Sequence, residues 1–136
     1  MLTITNQSDY GIIFISYLIG KKSYIPLSQM VEETKLPGRF LARIAASLVK
    51  NKIVESREGK IGGYKLTKKI EKMTLYDYLK IFEGDLTFIK CMDKKYNCPW
   101  EKQCYHKNFF QHNLYKIIVS SLKQFKLKDL FINLKG

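Results

Sequence analysis

A chain of 136 residues has room for one domain with a real core, or for a small domain with a dimerisation element attached. Its 24 Lys and Arg against 12 Asp and Glu leave a net charge of +12, which favours an anionic partner such as nucleic acid or an acidic surface. The opening MLTITNQSDYG has no basic leader region and the longest apolar run, GIIFISYLIG at 11–20, is too short to span a bilayer, so a signal peptide and a membrane span are excluded and a cytoplasmic protein is expected.

Residues 8–20, SDYGIIFISYLIG, open with a cap candidate in Ser8 or Asp9 and then run apolar almost all round, the pattern of a buried helix. After a loop over 21–25, Pro26 and Leu27 lead into a short amphipathic helix capped by Ser28, with Met30, Val31 and Leu36 facing inward. Pro37 disfavours helical geometry at Leu36, and Pro37-Gly38 makes a tight turn. A second amphipathic helix follows, with Phe40, Leu41, Ile44, Ala45 and Leu48 on one stripe and Arg39, Arg43, Ser47 and Lys50 off it. Two short helices joined in this way form a helix-turn-helix, whose second helix enters a DNA major groove by its N-terminal residues, here Arg39, Phe40, Ala42 and Arg43.

Two β-prone runs, 53–57 and 64–67, flank the glycine-rich tip EGKIGG and read as a hairpin, which after a helix-turn-helix is a wing. Its tip carries Arg57 and Lys60, and Gly62 and Gly63 permit close approach of the backbone to a phosphate or a minor groove. Between residues 35 and 72 stand eleven basic and three acidic side chains, a net of +8, and all three arginines of the chain lie in that window. Ser28, Arg39, Phe40, Arg43, Arg57, Lys60, Gly62, Gly63 and Tyr64 are therefore the expected contacts to double-stranded DNA.

MTLYDYLKIFEG at 73–84 has Thr74 as cap and Leu75, Tyr78, Leu79 and Phe82 at helical spacing, ending at Gly84. This is a linker helix. Beyond the cysteine segment, YHKNFFQHNLYKIIVSSLKQF carries Phe109, Phe110, Leu114, Ile117, Ile118, Ser121, Leu122 and Phe125 on a long apolar stripe, which a second copy of the chain would cover. The expected fold is mainly α with a small β-hairpin wing: a winged helix-turn-helix domain over 1–72, then over 73–136 the linker helix, a cysteine loop at 91–106 and a long C-terminal dimerisation helix.

All three cysteines stand in CMDKKYNCPWEKQCYH with C-x6-C-x5-C spacing. That matches neither the C-x2-C knuckle of structural zinc nor the C-x-x-C of thiol oxidoreductases, and it suits a loop wrapped around a larger object. Three thiolates leave one position of an iron-sulfur cluster open, for which Asp9, His106 and His112 are the candidate donors; zinc, or plain thiols, are the alternatives. Trp100 and Tyr105 are placed to shield the site from water or to pack on the dimer helix. No C-x-x-C, glycine-rich nucleotide loop or carboxylate pair around a histidine is present, so an enzyme is not expected.

The order of these parts, with DYG at 9–11, GGYKL at 62–66, MTLYDYL at 73–79, the three-cysteine loop and KLKDLF at 126–131, resembles the bacterial winged-helix iron-sulfur repressors of the IscR and NsrR types, the Rrf2 family. The resemblance covers nearly the whole chain and is nearest to the nitric-oxide-sensing NsrR type. It implies a homodimeric transcription repressor on a near-palindromic operator, sensing nitric oxide through its cluster. It further implies Cys91, Cys98, Cys104 and Asp9 of the partner subunit as ligands of a 4Fe-4S cluster, with 2Fe-2S as the alternative. In the IscR type a histidine three residues after the third cysteine is the ligand; here that position is Lys107, and His106, one place earlier, is the alternative donor. The neighbouring readings are an IscR-like regulator of cluster assembly and a cluster-free repressor using thiols or zinc.

Overall fold

The computed structural model describes residues 3–135, so Met1, Leu2 and Gly136, at the outer ends of the two expected domains, lie outside the described residues. Helix α1 spans Asn6–Leu18 and is capped by Thr5, whose hydroxyl accepts from the Ser8 amide, and not by Ser8 or Asp9. Ser8 is unavailable as a cap because it is fully buried: its hydroxyl donates to Glu83 Oε1 at 2.7 Å, and its carbonyl accepts from the Tyr78 hydroxyl at 2.5 Å. Gly11, Phe14, Ile15 and Leu18 continue the buried stripe, and no residue within 10–19 is fully exposed, as an all-round apolar helix requires.

Helix α2, Leu27–Thr34, also starts earlier than the sequence suggests. Pro26 occupies the cap position, where its fixed φ suits helix entry and its missing N–H is not needed. Ser28 therefore lies inside the first turn and caps nothing. The helix stops at Thr34 because Lys35 turns left-handed at φ 61°, ahead of the break that Pro37 would impose. Helix α3, Gly38–Lys50, follows with Leu41, Ile44, Ala45 and Leu48 buried, four positions of one helical face.

The hairpin consists of β1, Val54–Arg57, and β2, Gly63–Leu66, paired antiparallel with Glu55 opposite Lys65 and Arg57 opposite Gly63. Ile25, just before α2, joins β2 by two hydrogen bonds to Tyr64, 2.9 Å from its amide and 2.8 Å to its carbonyl. Gly63 has φ 142°, and a Cβ there would run into the Ile25 carbonyl, so the strand edge can approach so closely only at a glycine.

One turn of helix, α4 at Lys69–Lys72, leads to α5 at Leu75–Glu83. Thr74 and Asp77 form a reciprocal capping box at its start, and Gly84 at φ 70° ends it, both as expected from the sequence. Residues 85–106 are irregular apart from single 3-10 turns at Lys90–Met92 and Glu101–Gln103. The C-terminal helix is continuous over 107–124 but not uniform: α6, Lys107–Phe109, passes through a π-helical segment, Phe110–Leu114, into α7, Tyr115–Gln124. A 3-10 stretch, Leu127–Lys135, then turns back, with Leu127 N–H donating to the Met73 carbonyl at 2.9 Å.

The core crosses the boundary expected at residue 72. Phe14, Ile15, Met30, Leu41, Ile44, Leu48 and Ile53 are joined in one cluster by Met73, Tyr78, Leu79, Leu127 and Phe131. Each such side chain contributes about 1.5–3 kcal/mol on burial. Among the described residues no helix is long and apolar enough to cross a membrane.

A polar clasp fixes α1 on α5. Besides Ser8, Glu83 Oε1 accepts from the Thr5 amide at 2.8 Å and the Thr5 hydroxyl at 2.9 Å. Burial alone would raise the Glu83 carboxyl, but these hydrogen bonds from Ser8 and Thr5 outweigh it and leave the group below its usual 4.5. Burial, then the charges of Asp9 and Glu83, push the Tyr78 phenol far above its ordinary range, so it stays a neutral donor.

Two outcomes follow from this packing. Gly11→Ala would press a methyl against the Tyr78 hydroxyl and the Phe82 ring, and should lower the unfolding free energy in urea by about 1–3 kcal/mol. Because the Glu83 carboxyl is depressed on folding, its contribution is present above its unfolded pKa and disappears as pH falls through the folded value. Stability measured below pH 4.5 should therefore decline more steeply in the wild type than in Glu83→Gln.

Candidate nucleic-acid interface and cysteine loop

The helix-turn-helix arises because α2 and α3 each bury one stripe and are joined through the left-handed Lys35 and the Pro37 cap. Burying Leu41, Ile44, Ala45 and Leu48 leaves Arg39, Ala42 and Arg43 exposed near the N-terminus of α3. Arg43 borders a small cleft with Gln7, Ser47 and Phe82. Phe40 is half-buried, its ring edge-on to Tyr10 with centroids 5.2 Å apart, so it serves packing of α3 on α1. Ser28 is exposed on α2.

On the wing, Lys60 is exposed, and beside it Ile61 stands 80% exposed at the tip. A Cβ on Gly62 would meet the carbonyls of Arg57 and Gly59, so the fold itself accounts for this glycine, as the approach of Ile25 does for Gly63. Tyr64 is half-buried against Phe14, with ring centroids 5.6 Å apart. Arg57 is exposed, and its guanidinium lies over the ring of Tyr24 at 5.6 Å from the centroid. Tyr24 is a residue the sequence pattern did not single out: it stands in a loop, and only the bridge between Ile25 and Tyr64 brings it to the wing.

Among the described residues the only ion pair is Lys107 with Glu101, at 3.0 Å. Arg39, Arg43, Arg57 and Lys60 therefore keep their charges free of carboxylates, which leaves unpaired positive charge on the N-terminal part of α3 and on the wing. Arginines in this state suit bidentate contacts to guanine edges and phosphates.

The three cysteines are free and half-buried. Cys91 belongs to the first 3-10 turn, Cys98 to the loop, and Cys104 follows the second turn. Cys104 Sγ accepts from the Lys107 amide at 3.3 Å and lies 3.7 Å from His106 Nδ1. The Glu101 carboxylate, by its hydrogen bond first and its charge second, holds the Lys107 ammonium above the usual lysine range, and the Cys91 and Cys104 sulfurs act in the same sense. His112 instead directs Nδ1 to the Asn108 carbonyl at 3.0 Å. Asp9 is exposed on α1, one turn beyond Thr5. Trp100 and Tyr105 are 68% and 97% exposed, so little of either ring is covered within this chain.

Among the described residues no three Cys, His, Asp or Glu side chains converge closely enough to hold a metal ion. The donor chemistry nevertheless fits an iron-sulfur cluster, for which free thiols on an irregular loop are the protein's usual offering.

Comparison with known proteins gives a consistent picture. The family described as Rrf2, iron-dependent transcriptional regulator, matches residues 4–133. The HTH-type transcriptional regulator NsrR of Shouchella clausii is 24% identical over 135 residues, covering 97% of this chain and 90% of that protein. Among solved structures, CymR (YrzC), the global cysteine regulator of B. subtilis, superposes with a TM-score of 0.70 at 20% identity, over 96% of both chains. IscR of T. potens superposes with a TM-score of 0.67 at 20% identity, over 98% of this chain and 88% of that one.

The free charges on α3 and the wing separate base reading from phosphate contact. Arg39→Ala or Arg43→Ala should each weaken duplex binding by about 1–3 kcal/mol and relax the preference at one base position, read by binding to a set of single-substituted duplexes. Lys60→Ala should weaken all duplexes alike and reduce the slope of log affinity against log salt by about one.

Proposed function

The chain belongs to the Rrf2 family of DNA-binding transcriptional regulators and is not an enzyme; from that premise we propose that it is a dimeric repressor that holds an iron-sulfur cluster and responds to nitric oxide. The observation that carries this reading is the set of three free thiols on one loop, the last of them already accepting the first amide of the C-terminal helix. Cys91, Cys98 and Cys104 supply three thiolates, and Asp9 of the partner subunit the fourth donor, to a 4Fe-4S cluster, or to the smaller 2Fe-2S. Lys107, at the position where the IscR type has its histidine, is held as an ammonium by Glu101 and has no lone pair to give. His106, beside Cys104, is the alternative donor within the chain.

When bound, such a cluster supplies iron at which nitric oxide reacts, and a carboxylate is the hardest and weakest of its four donors. The chain's own residues carry the consequence. Asp9 lies on the same first turns of α1 that Glu83 clasps, and Tyr10 of that helix packs on Phe40 of α3. A tether on Asp9 thus acts through one buried helix on the recognition helix. Two recognition helices must meet half-sites about 34–36 Å apart, or a multiple of it, so a change in that tether alters operator affinity. Phe109, Ile117 and Phe125 are 58%, 64% and 54% exposed along the C-terminal helix, a set of large apolar side chains suited to a second copy of the chain.

A second reading is a cluster-free repressor using its thiols, which the three free cysteines support as they stand, or zinc, which would need the same gathering of donors as a cluster. Anaerobic purification with visible absorption, iron and sulfide analysis separates the two. A brown protein with about one cluster per chain, bleached by nitric oxide with loss of duplex binding, is expected. Asp9→Ala should retain iron but change both the spectrum and the nitric-oxide response; an unchanged spectrum and affinity would remove Asp9 from the ligand set. A colourless protein that binds duplex DNA would leave the second reading.

A further inference from the structure

Arg57 faces Gly63 across the hairpin, so no side chain stands opposite it on β2. The adjacent cross-strand pair on the same face is Glu55 with Lys65, and the bridge between Ile25 and Tyr64 brings Tyr24 alongside Lys65 as the next member of that row. The ring of Tyr24 receives the Arg57 guanidinium at 5.6 Å and the Lys65 ammonium at 5.8 Å, while its hydroxyl donates to Glu55 Oε1 at 3.2 Å. Neighbouring strands are about 4.8 Å apart, so Arg57 reaches Tyr24 by lying across β2 where the glycine leaves the space.

We propose that Tyr24 is a positioning residue for DNA recognition by the wing: its ring, anchored through Glu55, holds the Arg57 guanidinium in one orientation at the end of β1 that enters the tip, ready for the duplex. The inference rests on the reading of α3 and the wing as the DNA interface. An arginine free of carboxylates on an exposed strand samples many rotamers, and each must be given up on binding. A guanidinium resting on an aromatic face keeps its charge and its outward N–H groups, whereas a carboxylate partner would neutralise the one and occupy the other. Lys60 and Ile61 at the tip have no such ring beneath them, whereas Arg57 and Lys65 share Tyr24, which makes these two the ordered cations of the wing and the tip the adaptable part.

The test is a double-mutant cycle on the full chain, purified anaerobically, against a duplex that the wild type has selected from a randomised library. Tyr24→Ala and Arg57→Ala should each weaken binding on the order of five-fold, as loss of an exposed cation–aromatic contact predicts, and the double variant should be no weaker than Arg57→Ala alone. Tyr24→Phe, which keeps the ring but loses the hydroxyl that anchors it on Glu55, should fall between wild type and Tyr24→Ala. Losses that multiply in the double variant would show that Tyr24 acts through something other than Arg57, for instance by supporting the fold, and would overturn the proposal. So would wild-type affinity in Tyr24→Ala. If Arg57→Ala alone binds normally, the wing contact falls while recognition by α3 stands; if the wild type selects no duplex, the interface reading itself falls, and the proposal with it.

Discussion

One carboxylate joins the first helix to the linker helix. Glu83, the last residue of α5, takes three hydrogen bonds from the first turn of α1 through Thr5 and Ser8, and the Tyr78 hydroxyl closes the clasp on the Ser8 carbonyl. Without it the buried Ser8 hydroxyl would lose its acceptor, at a cost of about 1–3 kcal/mol, while the exposed Thr5 donors would turn to water. The clasp sets where α1 lies, α1 carries α3 by its buried stripe, and α3 carries Arg39 and Arg43. It also joins the start of the winged unit to the point from which the cysteine loop departs, since Gly84 and residues 85–106 follow Glu83 directly. The loop departs directly from this joint, and α3, more than thirty residues earlier in the chain, is linked to it through its packing on α1.

Charge is distributed to match. The chain has twice as many basic as acidic side chains, yet among the described residues only Lys107 is paired with a carboxylate. Several of the remaining acids serve structure: Glu83 in the clasp, Asp77 in the capping box, Glu55 on Tyr24, Glu33 on Tyr17. The positive surface over α3 and the wing is therefore not cancelled locally, which is the condition for strong, salt-dependent attraction to a polyanion. Orientation of single cations is left to aromatic rings, which hold a guanidinium or ammonium without neutralising it.

The C-terminal half is built around irregularity. A π-helical segment, Phe110–Leu114, interrupts the helix just after the cysteine loop. Such segments shift the phase of a helix, and this one separates the residues at Cys104 from the face that Tyr115, Val119 and Leu122 turn toward α5. Leu127 and Phe131 then return to the winged core, so the C-terminal end of the long helix is tied to the winged unit.

Much of this was legible in the sequence. The 3.6-residue stripe of α3, the capping box of α5 and the glycine-rich tip between two β-prone runs each depend on residues close in the chain, and local sterics and burial suffice to predict them. Caps failed where a polar residue was wanted elsewhere: Ser8 was drawn into the clasp and Ser28 was displaced from the cap by Pro26. Phe40, legible both on the inward stripe of α3 and as a DNA contact, and Tyr64, expected as a DNA contact, also brace α3 and the wing against α1, because their rings find Tyr10 and Phe14 only once the helices pack. The sequence by itself determined the order of elements, the basic face and the gathering of thiols, all of which are properties of composition and short-range spacing. Only the tertiary structure decided the joint at Glu83, the core shared across residue 72 and the place of Tyr24 under Arg57, because each joins residues more than thirty positions apart, and such pairings leave no periodic trace in the chain.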